Sequence, residues 1–299
     1  MRPTQTTKTR TMKIEAFAKV NFTLEVFGKR VDGYHALRSV VAPTSLSDSI
    51  TVEEDSSLSS DSGYADDLCV KAARVLADFA ASRGREVPGA RIHVEKRIPA
   101  GGGLGGGSAD AAAVLWALNE MWELGAGPSE LAEIGARVGS DVPALVLSRA
   151  CGPVVMEGRG EVVRPLFDAP TRPSPLRLHL VMANPGVFSS TPEVFARSTP
   201  RVTSDAGILY NMRTALVSGD AERISCALMN DLEAPATALH PEIAAAKAAL
   251  AGAGASGATM SGSGSTVFGL VPDEARGREI AALLGANGLS AWTVAVDVP

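Results

Sequence analysis

Six glycines around a single leucine, Gly101-Gly102-Gly103-Leu104-Gly105-Gly106-Gly107, run from Ile98-Pro99-Ala100 into Ser108-Ala109-Asp110 and an alanine-rich helical stretch. Glycine reaches positive φ and leaves its N–H open to close approach by a ligand. Successive N–H groups in such turns make an anion-binding concavity. The first turn of a helix adds unpaired donors and the positive end of its dipole. The segment reads as a cradle for phosphate, with Ser108 the expected helix N-cap. A linker would carry more serine and would not abut a helix.

Two further groups have chemical potential. Lys19 and Asn21 fall on one face of an expected strand, with Val20 and Phe22 on the other. An inward lysine is costly unless it meets an anion, although the pair alone fits a solvated edge strand equally well. Asp141, in Gly139-Ser140-Asp141-Val142-Pro143, reads on its own as a helix N-cap.

Two common phosphate-binding designs do not fit. Gly28-Lys29 is followed by Arg30, and Thr23 stands where a P-loop needs its first glycine. Gly101, Gly103 and Gly106 satisfy G-x-G-x-x-G, but a second helical pattern (Leu131, Ile134, Val138) follows where a dinucleotide fold needs a strand.

Composition sets the outer limits. With 299 residues, 45% of them hydrophobic, the chain can bury one large or two ordinary cores. A net charge of −5 gives no basic field to recruit nucleic acid, so local cations such as Lys19, Lys29, Arg30, Lys96 and Arg97 must hold any phosphate. Cys69, Cys151 and Cys226 are widely spaced and odd in number, which suits reduced thiols in the cytoplasm better than a disulfide frame or a zinc site. No apolar run approaches membrane-spanning length. Residues 1–12 open with a polar stretch that is expected to be a disordered tail, with Met12 an alternative start.

The elements that must position these groups are readable in outline. Strands are expected over Lys13–Val26, within Ser39–Val52, and over Arg91–Ile98, with a solvated loop at Glu53–Gly63. Helical spacing covers Asp67–Ala81 and the two patterns after the glycine loop. The proline-rich Pro165–Pro175 marks a junction between lobes 13–168 and 176–299. Beyond it lie a strand Leu176–Ala183, helices Ile208–Val217, Ala221–Leu228 and Pro241–Ala251, a strand Ala258–Leu270, a helix Asp273–Leu284 and a strand Ala291–Val296. Strands and helices mix without strict βα repetition, so the expected class is α+β with two lobes around a cleft.

The motifs together resemble the GHMP kinases, a family of small-molecule kinases. The resemblance rests on Lys19-x-Asn21, Gly28 to His35 (GKRVDGYH), Pro99 to Ala109, Gly139 to Pro143, Asn230-Asp231-Leu232-Glu233 and the Gly262-Ser263-Gly264 turn, and it runs from about residue 13 to the end. It implies a two-lobed GHMP kinase fold and transfer of a phosphoryl group from ATP, with Mg2+, to a hydroxyl of a cytidyl sugar alcohol in isoprenoid precursor synthesis. The alternative is a homoserine- or mevalonate-type member. A nucleotide-binding module without catalysis is the reading from another class. No nucleic acid, membrane or obligate protein partner is implied.

The same resemblance assigns roles. Asp141 would accept or orient the hydroxyl proton, with Lys19 beside it favouring the carboxylate and facing the transferred group. Lys96 and the loop Pro99, Ala100, Gly101, Gly102, Gly103, Leu104, Gly105, Gly106, Gly107, Ser108 and Ala109 would bind ATP. Asn21, Tyr34, His35, Thr191, Phe195, Gly262 and Ser263 would line the acceptor side, Tyr34 and Phe195 sandwiching the cytosine. Two positions depart from the family pattern: Asp67 where an asparagine is usual on the adenine side, and Ala109 where a second serine is usual. No acidic cluster identifies a protein ligand for the metal.

Overall fold

The computed structural model describes residues 10–63, 66–168, 175–202 and 206–299. β1 (Thr11–Lys29) and β2 (His35–Asp55) form a long antiparallel hairpin, closed by a turn in which Gly33 takes φ +86°. β-Branched and aromatic residues favour this pairing, and the middle of β1, residues 18–26, is buried on both faces. The register slips between Phe17 and Lys19 and again between Asn21 and Thr23. Such bulges re-aim side chains next to functional sites.

The chain continues through β3 (Ser59–Ser60), α1 (Leu68–Ser82), β4 (Gly89–Glu95), α2 (Gly106–Met121), α3 (Pro128–Gly135), α4 (Val142–Cys151), β5 (Val154–Gly158) and β6 (Val162–Pro165). The second half holds β7 (Leu176–Asn184), α5 (Thr191–Ala196), α6 (Ala206–Ser218), α7 (Ala221–Ala227), β8 (Met229–Asn230), α8 (Glu233–Leu239), α9 (Pro241–Gly252), β9 (Ser256–Met260), β10 (Val267–Val271), α10 (Glu274–Ala286) and β11 (Ser290–Val298). The first sheet runs β3-β4-β2-β1-β8, with β5 on the far half of β2 and β6 beside β5. The second runs β11-β7-β10-β9 and is antiparallel throughout.

One core spans both sheets. Val20, Phe22, Ile50 and Ile92 of the first pack in the same buried cluster as Leu180, Met182 and Phe268 of the second. The Phe22 and Phe268 rings meet at 6.3 Å. α2 lies inside this core, with Ala111, Val114, Leu115, Ala117 and Leu118 all buried. A helix apolar on every side belongs in an interior, and that burial fixes where its N-terminus points.

Several expectations need adjustment. Thr11 and Met12, assigned to the tail, open β1 by pairing with Glu53 and Val52; residues 1–9 lie outside the described residues. The strand expected over Ala258–Leu270 is two strands, because Gly262 and Gly264 take positive φ and turn the chain. α2 begins before Ser108: its cap is Gly105 at φ +72°, so Ser108 sits inside the first turn and caps nothing. Residues 169–174 of the expected junction are not among those described.

Candidate active site

The glycine loop joins β4 to α2 and is held by backbone bonds to both halves of the chain. Lys19 N donates to Leu104 O at 3.0 Å, and Thr266 N donates to Gly102 O at 3.1 Å. Gly103 shows why glycine is required: at φ +74°, a Cβ there would stand 2.1 Å from the Ser261 carbonyl oxygen. The loop therefore rests directly on the Ser261–Thr266 turn. Asn230 secures that turn by donating to Met260 O at 2.7 Å and Gly262 O at 2.8 Å. Glu233 accepts from Met260 N and Thr259 Oγ1, and Asp231 accepts from Val26 N and Arg201. The Asn230-Asp231-Leu232-Glu233 run is thus a brace for the cradle's floor.

Lys19 stands beneath the loop, its side chain 5% exposed. Its ammonium donates to Asn21 Oδ1 and to Gly103 O, both at 2.7 Å, and lies 3.8 Å from Asp141 Oδ2. Burial pushes the Lys19 pKa below the usual lysine value, while Asp141 pulls it back up. Asn21 in turn donates to Ser39 Oγ at 2.7 Å, so the pair expected on one strand face does converge. Asp141 occupies the N-cap position of α4, yet its side chain makes no cap bond and remains 36% exposed toward the cleft. The cap geometry explains where Asp141 sits, and the uncommitted carboxylate is what chemistry can use.

The cleft above these residues measures about 840 Å³. Its walls include Lys19, Asn21 and Asp141, Lys96 with the loop from Pro99 to Ser108, and Tyr34, His35, Thr191, Phe195, Gly262 and Ser263. Of the residues assigned from sequence, Ala109 alone is not among the cleft's lining residues and is buried in the core. Among the described residues no group of three or more His, Cys, Asp or Glu side chains could hold a metal.

Two comparisons settle the family. The model of the GHMP kinases N terminal domain matches residues 67–149, and that of the GHMP kinases C terminal matches residues 212–288. The 4-diphosphocytidyl-2-C-methyl-D-erythritol kinase of Symbiobacterium thermophilum is 42% identical over 95% of this chain and 99% of its own length. The chain belongs to the 4-diphosphocytidyl-2-C-methyl-D-erythritol kinases of the GHMP family. A solved structure of a 4-(cytidine 5'-diphospho)-2C-methyl-D-erythritol kinase superposes with a TM-score of 0.79 at 34% identity, covering 95% of this chain and 99% of that one. Homoserine kinase from Cytophaga hutchinsonii has a TM-score of 0.72 at 17% identity over 100% and 98% of the two chains, which shows the shared GHMP fold.

Within this GHMP kinase fold one end of the cleft is built from the hairpin turn and α5. Asp32 Oδ1 accepts from Tyr34 N at 3.2 Å and Arg30 N donates to Tyr34 O at 2.7 Å, so the Asp32-Gly33 turn presents Tyr34 at the rim, 55% exposed. The ring stacked on Phe195 is His35, at 5.6 Å and 22°. Tyr34 instead lies under the Arg159 guanidinium at 5.3 Å. Thr191 Oγ1 and Ser263 Oγ share a hydrogen bond of 2.7 Å, tying α5 to the turn beside the loop. Asp67 caps α1 by accepting from Cys69 N and Val70 N, which gives the unusual aspartate a structural task.

Sequence reasoning passed over three groups. Phe188, 73% exposed, lays its ring where a Cβ on Gly101 would fall, and nothing in its local sequence marks it. Arg159 lines the cleft from the β5–β6 turn. Asp48 and Asp110 both take the Lys96 ammonium, and the only hint was an aspartate embedded in an alanine run.

Proposed function

We propose that this kinase transfers the γ-phosphoryl group of ATP to the 2-hydroxyl of 4-diphosphocytidyl-2-C-methyl-D-erythritol, giving the 2-phosphate and ADP in the methylerythritol phosphate route to isoprenoid precursors. The acceptor oxygen bonds to the γ-phosphorus, the bond to the β-bridging oxygen breaks, and its electron pair leaves on ADP. Such a transfer asks the protein mainly for alignment and charge stabilisation. The observation that carries the reading is the Lys19–Asp141 pair, 3.8 Å apart at the foot of the glycine cradle. Asp141 orients the hydroxyl and takes its proton, and Lys19 offsets the charge that spreads over the moving phosphoryl oxygens. Main-chain amides of Gly101 to Gly107 and the first turn of α2 hold the triphosphate.

Support for the acceptor comes from the cytidyl kinases that the chain resembles and from the ring-lined end of the cleft. Tyr34 and Phe195 enclose the base, His35 contacts its edge, and Asn21, Thr191, Gly262 and Ser263 approach the polyol. A small-alcohol acceptor, as in homoserine or mevalonate kinases, is not favoured, since it has no base for these rings. Magnesium would fit as an ion carried by the phosphates rather than by a dedicated protein cage, in keeping with the lack of an acidic cluster among the described residues. When bound it neutralises phosphate charge. The division into lobes 13–168 and 176–299 belongs to this reading, as does a cytoplasmic setting, which the three free cysteines suit.

One assay tests it. ATP is offered with the cytidyl-methylerythritol compound, mevalonate and homoserine in parallel, and only the first should be phosphorylated. Transfer to either small alcohol at a comparable rate would remove the reading.

A further inference from the structure

The glycine loop is tied at both ends by one buried network that the chemistry above does not use. Before the loop, Asp48 Oδ1 accepts from Arg97 N and from Ile98 N, the latter at 2.8 Å. These are the two residues preceding Pro99. After the loop, Asp110 lies one turn into α2. Lys96 bridges the two, donating to Asp48 Oδ2 at 2.5 Å and to Asp110 Oδ2 at 2.7 Å. Both carboxylates are buried, and Asp110 Oδ1 has no partner. Two anions on one cation in an interior are costly.

We propose that Asp48, Lys96 and Asp110 are positioning residues: they clamp the entry and exit of the glycine loop so that its amides stand ready before the nucleotide arrives. Lys96 then serves ATP through the loop it holds, since two of its three ammonium donors are taken by carboxylates. The clamp also explains why a costly acid is kept. Burial pushes the Asp110 carboxyl up to about 7, against the pull of Lys96 and with Asp48 adding to the rise. Cys69 of α1 also feels the Asp110 charge, and burial raises its thiol as well. An apolar residue at 110 would pack more easily but would leave the helix start unlinked to the loop entry.

The inference rests on the ATP-binding part of the functional reading. Asp110→Ala removes the exit tether and a buried acid together. Affinity for a non-hydrolysable ATP analogue, measured by calorimetry, should fall about tenfold as preorganisation is lost. The KM for the cytidyl substrate should stay within about twofold. The thermal midpoint at about pH 8 should hold or rise, because an ionised buried carboxylate has gone. Asp110→Asn keeps an oxygen for Lys96 and should regain most of the lost affinity. Unchanged analogue affinity in D110A, a loss that merely follows a lower midpoint, or no recovery in D110N would each overturn the clamp. Analogue binding needs no acceptor, so a chain that binds it without phosphorylating the cytidyl alcohol sinks the functional reading and leaves this test readable.

Discussion

The glycine cradle and the ring-lined end of the cleft are built by opposite means. The cradle is main chain, fixed by backbone bonds from Lys19 and Thr266 and floored by the Ser261–Thr266 turn. The ring-lined end is side chain: Tyr34 stands largely exposed, and His35 leans on Phe195 from a different element. A fixed amide cradle suits a ligand whose charge is the same in every family member. Exposed rings that can reorganise suit a part of the substrate that differs between members. Lys19 and Asp141 lie where the two regions meet, so changes there should hit hardest.

Asp141→Asn tests that meeting point. Turnover should drop by about two to four decades with both KM values nearly kept, as for an acid–base group. A second consequence follows from the sign of the Lys19 shift. Burial lowers the Lys19 pKa and Asp141 raises it, so the lysine of D141N should lose its proton at lower pH than in the wild type. The residual activity should therefore decline earlier on the alkaline side. Turnover within a factor of a few of wild type removes Asp141 from the mechanism.

Gly103→Ala challenges the main-chain half. The new Cβ meets a backbone oxygen at 2.1 Å in a left-handed conformation, and neither partner is a flexible side-chain end. ATP KM should rise by about two decades, since a displacement near 1 Å already costs that much in positioned groups. The acceptor KM should change far less. An alanine variant that binds ATP normally would show that the loop floor tolerates movement.

How much of this was legible in the sequence follows the same division. Glycine at a left-handed, sterically closed position is dictated by the backbone, so the cradle, the Lys19–Asn21 face and the Asp141 helix start could all be read from residue types. The start of α2 was misread because a glycine at positive φ opened the helix ahead of the serine that looked like its cap. Ala109 is adjacent to the cradle in sequence but faces the core, which its residue type alone does not reveal. The Asp48–Lys96–Asp110 network depends on β2, the end of β4 and α2 meeting in space, which no local pattern encodes. Phe188 is invisible for the same reason, since its contact is with Gly101 across the seam.

Tyr34→Ala probes the side-chain half with a milder expected effect. An aromatic stacked on a base contributes about 1–3 kcal/mol, so KM for the cytidyl substrate should rise roughly five- to a hundredfold with turnover and ATP KM nearly unchanged. Phe195→Ala should act in the same direction. If Tyr34→Ala leaves KM untouched, the His35–Phe195 stack is the platform and the base lies deeper than the rim.

The smallest effect concerns stability rather than rate, and its sign separates the clamp from ordinary packing. Asp110 has a folded-state pKa of about 7 against 3.8 for the free group, raised first by burial. A raised value means that its contribution is fully present below about pH 4 and is lost as pH climbs through about 7. Between about pH 5 and 8 the wild-type melting midpoint should therefore fall by a few degrees more than that of D110N, which carries no proton to lose there. Parallel midpoint curves would mean that Lys96 already compensates the ionised acid fully. In that case the network stabilises the loop without cost, and the contrast between a rigid cradle and an adaptable base site would rest on the backbone bonds alone.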